Sequence, residues 1–372
     1  MRIVFLGRYN TTENISGPEY VARNVFYQIK KRNRDTSFVQ YFFDGTKYSL
    51  FQKLFGSEII KDSSDSIYRK GIIPLFIFLL REKPEVIHII TFERFAFVAF
   101  IYRLFCKVKI FYNVHGIVYY ENNVLRNGLK VFFILKDKIF EHILFRYSDL
   151  QLFLSKRSIK LAENYFNIRH EKVAIVPNGL EEVYIEPKIN SIEESEKPLQ
   201  IVFVASLKRP EKGIEFILKA LQSIPFSFVA YIIGDHKVND EIVNQGTLHY
   251  MPIMEHRALM EFFSDKHIFI SASHYEPFSI SVLEAMYQGL VPIMTSETGL
   301  SEYIEDGIHG YVCNYGDTKS LVDILTLLHS DRSMLERAST AAKEFALQMT
   351  WEKIVERYYL PLYKKLSSEK LL

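Results

Sequence analysis

Only two of the 372 residues are cysteine. Cys106 and Cys313 lie far apart, which argues against a disulfide framework and fits a reducing compartment. Their spacing offers no metal site. No apolar run approaches the ~20 residues needed to span a bilayer. Ile72–Leu80 and Phe95–Cys106 come nearest, and Arg103 interrupts the second. Met1–Gly7 is too short an apolar run for a secretory signal and leads into a glycine loop. Charge of neither sign dominates, since 46 Lys and Arg face 44 Asp and Glu for a formal net charge of +2. That removes the global electrostatic case for a nucleic-acid partner. A G-x-G-x-x-G fingerprint is missing, which counts against a nicotinamide enzyme. No D-x-D occurs, and Asp62-Ser63-Ser64-Asp65 has the wrong spacing for one. Internal repeats and low-complexity tracts are also absent.

What is present is length and apolar content. With 372 residues, 48% of them hydrophobic, the chain can bury two cores. Its two halves share a β/α rhythm. In the first half, Arg2–Leu6, Val86–Ile90, Lys109–Val114, Gln151–Ser155 and Val173–Val176 read as buried strands. Helices are predicted from about Tyr20 and over Phe140–Tyr147. Pro177-Asn178-Gly179 fixes a sharp turn. Glu182–Pro198 is charged and irregular, like an interdomain connection. In the second half, Leu199–Ala205, Phe228–Ile233 with a turn at Gly234-Asp235, Leu248–Met254, His267–Ala272 and Val291–Thr295 read as strands. A helix begins near Ile214, and a last one runs around Trp351–Lys365. The expected division is 1–182, a linker 183–198, 199–350, and a C-terminal helix 351–372 packing back on the first domain. The fold class is α/β, with ligands gathering at the carboxyl ends of strands.

The most informative stretch runs from Ser271 to Gly289. A strand leads into a tight polar turn carrying Glu276. A helix over Ile280–Leu290, apolar on nearly all sides, carries Glu284. On one continuous helix these carboxylates would stand about 12 Å apart. Carboxylates beside a buried helix need hydrogen-bond donors, and a helix N-terminus favours anions. Hydroxyls at both ends with phosphates between would suit such a site, as in a nucleotide sugar. Ser281-Val282-Leu283-Glu284 is also a capping box, so Glu284 could instead close the helix start. Basic residues of Ser206–Gly213 follow a strand and precede a helix, a phosphate cradle or an ordinary solvated turn. His88 lies within a strand, as a satisfied core histidine would. His115 follows a strand end, where a histidine is better placed for chemistry. Tyr119–Ile139 is basic and aromatic. Lys130, Lys136 and Lys138 beside Phe132 and Phe133 could meet a lipid phosphate, though a helix with a solvated basic face is the commoner arrangement.

Glu276-Pro277-Phe278-Ser279-Ile280-Ser281-Val282-Leu283-Glu284-Ala285-Met286 resembles the E-x7-E signature of the retaining glycosyltransferases of family 4, glycosyl transferases group 1. The resemblance implies a GT-B fold, two Rossmann-like domains facing each other across a cleft. It implies that Glu276 faces the donor sugar, that Glu284 holds the ribose, and that the backbone at Phe278, Ser279 and Ile280 meets the diphosphate. Ser279 stands where the family mostly has glycine. Ser16-Gly17-Pro18-Glu19 is similar to the family's G-G-x-E loop, so Gly17 would approach phosphate or acceptor. His115-Gly116 is similar to its T/V-H-G, which places His115 at the donor sugar or its phosphate. Pro177–Glu181 is similar to P-N-G-V-D. Lys212-Gly213 matches the end of G-R-L-x-x-x-K-G, but Ser206 replaces the arginine, and Arg209 or Lys208 would substitute. Gly234 matches L-x-I-x-G. Gly299-Leu300-Ser301-Glu302 is similar to G-G-x-x-E, with amides at Gly299 and Leu300 offered to phosphate.

The implied activity is retaining transfer of a hexose or N-acetylhexosamine from a nucleotide diphosphate sugar, UDP favoured over GDP, to a hydroxyl acceptor. The acceptor would be a glycan or lipid-linked glycan in cell-surface polysaccharide synthesis. No metal or other cofactor is expected, with Glu276, His115 and Lys212 at the chemistry. The expected location is cytoplasmic, with peripheral contact at the inner membrane face. A nucleotide-sugar epimerase of the same fold and a non-catalytic nucleotide or sugar receptor are the alternatives; a pyridoxal-type phosphorylase would need a Schiff-base lysine, for which there is no motif.

Overall fold

A computed structural model describes residues 1–9, 17–42, 48–61, 67–122, 131–181, 197–204 and 209–368. Ser206, Lys208, Ser16, Lys130 and most of the 183–198 linker lie outside them, as do the side chains of Phe132 and Phe133. Two compact units result. One comprises Met1–Pro177 with Trp351–Leu372, the other Asn178–Thr350. The residues just after Pro177 join the second unit because Leu180 donates its N–H to the Met349 carbonyl at 2.9 Å and bridges Thr350.

The first unit holds an eight-stranded sheet. Its strands are β1 (Ile3–Leu6), β2 (Thr36–Gln40), β3 (Ser57–Lys61), β4 (Ile67–Lys70), β5 (Val86–Ile89), β6 (Lys109–Val114), β7 (Leu150–Phe153) and β8 (Val173–Ile175), in the order β3-β4-β2-β1-β5-β6-β7-β8. All pair in parallel except β3 with β4. Strands such as Ile3-Val4-Phe5-Leu6 are buried along their whole length. They are continuous apolar runs because helices cover both faces of a parallel sheet.

The C-terminal segment packs on this sheet. It runs as α-helix over Trp351–Ile354, widens to a π turn over Val355–Tyr359 and returns to α-helix over Leu360–Ser368. Tyr359 and Tyr363 meet β5 and β6 across a closed polar chain. The Tyr363 hydroxyl donates to His88 Nδ1 at 2.5 Å, His88 Nε2 donates to Asn113 Oδ1 at 2.7 Å, and Asn113 Nδ2 donates to the Tyr359 hydroxyl at 2.8 Å. His88 is thus a core histidine with both ring nitrogens used. Burial pushes its pKa down to about 3, so it stays neutral.

The second unit holds six strands, β9 (Leu199–Val204), β10 (Phe228–Val243), β11 (Gly246–Pro252), β12 (Ile268–Ser271), β13 (Val291–Thr295) and β14 (Tyr311–Cys313), in the order β11-β10-β9-β12-β13-β14. Here one expectation fails. Gly234 is not in a turn, because β10 runs on through it to Val243 and pairs Gly234 with Pro252 of β11. Register shifts on either side of Gly234 absorb the glycine as a bulge. The chain turns later, at Asn244, whose φ of 53° is left-handed.

Candidate functional site

The second unit gathers its polar residues where β12 ends. Pro210–Lys212 forms one 3-10 turn, and Gly213 follows at φ 72° before the helix Ile214–Leu221. A Cβ on Gly213 would lie 2.0 Å from the Ala272 carbonyl oxygen, so only glycine lets this loop meet the end of β12. The His274 N–H donates to the Glu211 carbonyl at 2.9 Å and fastens the same two segments. Lys212 therefore reaches Glu276, and the two form an ion pair with both side chains mostly buried. Arg209 Nε bonds the buried Glu211 carboxylate at 2.7 Å while nearly half of the arginine side chain stays exposed.

Glu276 is strapped to the segment after β13. Gly299 donates its N–H to the Glu276 carbonyl at 2.8 Å, and Leu300 donates to that of Phe278 at 3.0 Å. Those two amides were expected to face phosphate. They are consumed by the backbone instead, because the Glu276–Phe278 stretch pairs there like a short strand. The Phe278 ring is core, edge-on to Tyr303 at 5.8 Å.

The helix Ile280–Tyr287 starts from Ser279, whose φ and ψ are both 83° and whose side chain makes no cap bond. A non-glycine residue rarely adopts that conformation. It explains why glycine is the usual residue at this point of the motif. The Ser281–Glu284 capping box does not form. Glu284 sits in the second turn, 9% exposed, and its Oε1 takes the Nε2 of His256 at 2.8 Å. His256 opens the neighbouring helix His256–Phe263. Lys212, Glu276, Ser279 and Glu284 thus cluster on successive segments around one strand end, and Gly234 follows Ile233 of β10, which pairs with the last residue of β9 two strands from β12's end.

His115 and Gly17 belong to the first unit. His115 lies just past β6 beside a cavity of about 210 Å³, lined also by Arg8, Glu19, Glu93, Asn113 and Glu121. Gly17 is the first residue of the helix Gly17–Arg32, next to the cavity residues Pro18 and Glu19. His115 Nε2 donates to the Ile90 carbonyl at 2.6 Å, and burial lowers its pKa to about 4. The ring is neutral, with Nδ1 left as its acceptor. Arg8 forms an ion pair with Glu93, whose carboxyl is raised by burial against the pull of that arginine. Arg8, Glu93, Asn113 and His256 escape a reading of the sequence. Arg8 and Glu93 follow β1 and β5 by a few residues, so strand-end position is the signal that could find them. In the basic stretch after Tyr119, Lys138 lies 4.8 Å over the Tyr119 ring, and the buried Glu141 accepts the Val118 and Tyr119 N–H groups, each at 2.9 Å. That helix is pinned from within.

Residues 185–345 match the family described as glycosyl transferases group 1. Over those residues the chain is similar to that family. The chain is 25% identical over 214 residues to an uncharacterized 41.2 kDa protein in the cps region of Klebsiella pneumoniae, covering 57% of this chain and 56% of that protein. The chain spans about half the length of such curated relatives. Its fold is that of sucrose-phosphate synthase from Thermosynechococcus elongatus, with a TM-score of 0.75 at 13% identity over 99% of this chain and 100% of the other. Anabaena Alr3699/HepE in complex with UDP shares it too, with a TM-score of 0.70 at 15% identity over 98% of this chain and 100% of the other. This is the two-domain α/β fold known as GT-B.

Proposed function

We propose that this chain is a group 1 glycosyltransferase, which moves a sugar from a nucleotide diphosphate sugar to a hydroxyl acceptor with retention and without a metal ion. The observation that carries the proposal is the Lys212–Glu276 ion pair beside the start of the Ile280–Tyr287 helix. Cation and helix N-terminus together suit a diphosphate. Lys212 would exchange Glu276 for a diphosphate oxygen when donor binds. The released Glu276 carboxylate then takes sugar hydroxyls, and Glu284, oriented by His256, takes the ribose hydroxyls. Arg209, held by Glu211, stands in for the arginine replaced by Ser206. UDP is favoured over GDP, in keeping with the UDP held by the fold neighbour.

In the transfer, the bond from the sugar's anomeric carbon to the diphosphate oxygen breaks. The acceptor oxygen bonds to that carbon on the same face, and the acceptor proton passes to the departing phosphate oxygen. Lys212 stabilises the charge growing on that oxygen. Neutral His115 cannot act as an acid above about pH 4, so its Nδ1 accepts a sugar hydroxyl and positions it. The cavity beside it presents Glu19, Glu93 and Glu121 against Arg8, a lining suited to an uncharged, hydroxyl-rich glycan rather than a phosphorylated one. Screening nucleotide sugars by mass spectrometry for acceptor-dependent release of UDP or GDP tests this reading. Lys212→Ala should lower the rate by roughly a hundredfold or more with the fold intact. Full activity in that variant would remove Lys212 from the chemistry. Donor conversion without any acceptor would point instead to an epimerase.

A further inference from the structure

Two neighbouring helices of the first unit are apolar on the wrong side. Phe97–Phe105 buries Val98, Ala99 and Tyr102 against the sheet, and Ile72–Glu82 buries Leu75 and Leu79 in the same core. A surface helix ordinarily sets polar residues opposite such a face. Here the outward stripe of the first is Phe97, Ile101, Leu104 and Phe105, spaced i, i+4, i+7 and i+8, with Leu104 80% and Phe105 72% exposed. The outward stripe of the second is Ile73, Ile77 and Leu80, again i, i+4 and i+7. The helices touch where Phe76 lies edge-on to Phe105, ring centroids 6.2 Å apart, so the stripes adjoin. Such a contiguous apolar surface is larger than scattered exposed residues explain.

Its charge identifies the occupant. From Arg94 to Phe111 the chain carries Arg94, Arg103, Lys107 and Lys109 and not one Asp or Glu. Arg94 pairs with Asp137, and Arg103 and Lys109 with Asp149, so the cation that this edge adds is Lys107, exposed just past the end of the Phe97–Phe105 helix. Arg146 and Tyr147 are exposed alongside, where the Phe100 and Tyr147 rings lie 6.3 Å apart. Exposed aromatics and aliphatics with a cationic edge are the composition of a face that lies in a lipid–water interface. No helix among the described residues is long and apolar enough to cross a membrane, so the contact is peripheral. We infer that the outward face of Ile72–Glu82 and Phe97–Phe105 docks on an anionic lipid bilayer, with Leu104 and Phe105 inserted among the headgroups and Lys107 at their edge. This is not the Tyr119–Ile139 stretch that the sequence suggests for a lipid contact. The inference stands apart from the glycosyl-transfer reading, since either can fail alone.

Co-sedimentation of the full chain with vesicles tests it. Phosphatidylcholine vesicles containing phosphatidylglycerol should bind the protein at low salt, and phosphatidylcholine alone should bind it much less. Leu104→Gln with Phe105→Gln, at solvent-exposed positions, should lower the partition coefficient by about tenfold or more with an unchanged unfolding transition. Lys107→Glu should lower it by roughly tenfold on anionic vesicles only. Wild-type protein that stays in the supernatant with anionic vesicles overturns the inference. So does a dimer in solution that Leu104→Gln dissolves while vesicle binding is unchanged, because the face would then be covered by a second copy of the chain.

Discussion

Replacing Ser279 by glycine should stabilise the protein, although it deletes a side chain from the most informative motif in the chain. Ser279 holds φ and ψ of 83°. Left-handed backbone costs an L-residue about 1–2 kcal/mol. Glycine removes that cost but adds unfolded-state entropy, which takes back about 0.5–1 kcal/mol. Among the described residues, the side-chain bond lost is the 3.3 Å contact with Ser281 Oγ, a long and weak one. The net gain is therefore about 0.5–1 kcal/mol, small but measurable by urea denaturation. Ser279→Ala keeps the strain and loses the hydroxyl, so it should be neutral or slightly destabilising. Ser279→Val adds a β-branch in the same conformation and should cost about 2 kcal/mol or more. A Ser279→Gly variant less stable than the parent by 1 kcal/mol, roughly the size of the strain itself, would refute a left-handed residue here.

Other expectations follow from the same geometry. Gly213→Ala drives a Cβ to 2.0 Å from the Ala272 oxygen at a φ of 72° and should cost about 3 kcal/mol or more, read from the same denaturation curves. Tyr363→Phe removes the donor to buried His88 Nδ1 and should cost about 1–3 kcal/mol; an unchanged midpoint would mean that the chain from Tyr363 to Tyr359 is not closed. Stability should also depend on pH in both directions. His88, His115 and His267 have folded pKa values of about 3, 4 and 4 against 6.5 when unfolded. Below pH 6.5 the unfolded chain therefore takes up protons that the folded one refuses, and stability falls by about 1.4 kcal/mol per histidine per pH unit until the folded values are reached. Glu141 works in the opposite sense. Burial pushes its folded pKa up to about 8 from 4.5, so it destabilises as pH rises between those values. Among the groups with the largest shifts, the three histidines outweigh Glu141 below pH 6.5, and Glu141 dominates above it. The melting temperature should peak near pH 6.5, and Glu141→Gln should flatten the decline from there to pH 8.

The β/α rhythm was legible because buried parallel strands are continuous apolar runs, as in Ile3–Leu6 and Ile268–Ser271. The turn carrying Glu276 and the buried helix carrying Glu284 were legible from the polar and apolar pattern after one strand, while the placing of Lys212 beside them came from the resemblance. The departure at Ser279 was visible as well, but its left-handed backbone was not, since a serine there carries no conformational signal. Gly234 misled because a glycine after an apolar run marks a bulge as readily as a turn. The spent amides of Gly299 and Leu300 were hidden, because they depend on a pairing with Glu276 and Phe278 that is remote in sequence. His256 and the Arg8–Glu93 pair were hidden for the same reason.

Nucleotide release by wild type and Glu284→Ala, with donor and acceptor supplied and EDTA present, tests the central claim most directly. A single nucleotide sugar should be consumed in step with acceptor glycosylation, undiminished by the chelator. Glu284→Ala should raise the donor KM by at least tenfold, about 1.4 kcal/mol of lost binding. Wild-type kinetics in the variant, or turnover that stops with EDTA and returns with a divalent ion, would contradict a metal-free diphosphate site built from Lys212, Glu276 and Glu284.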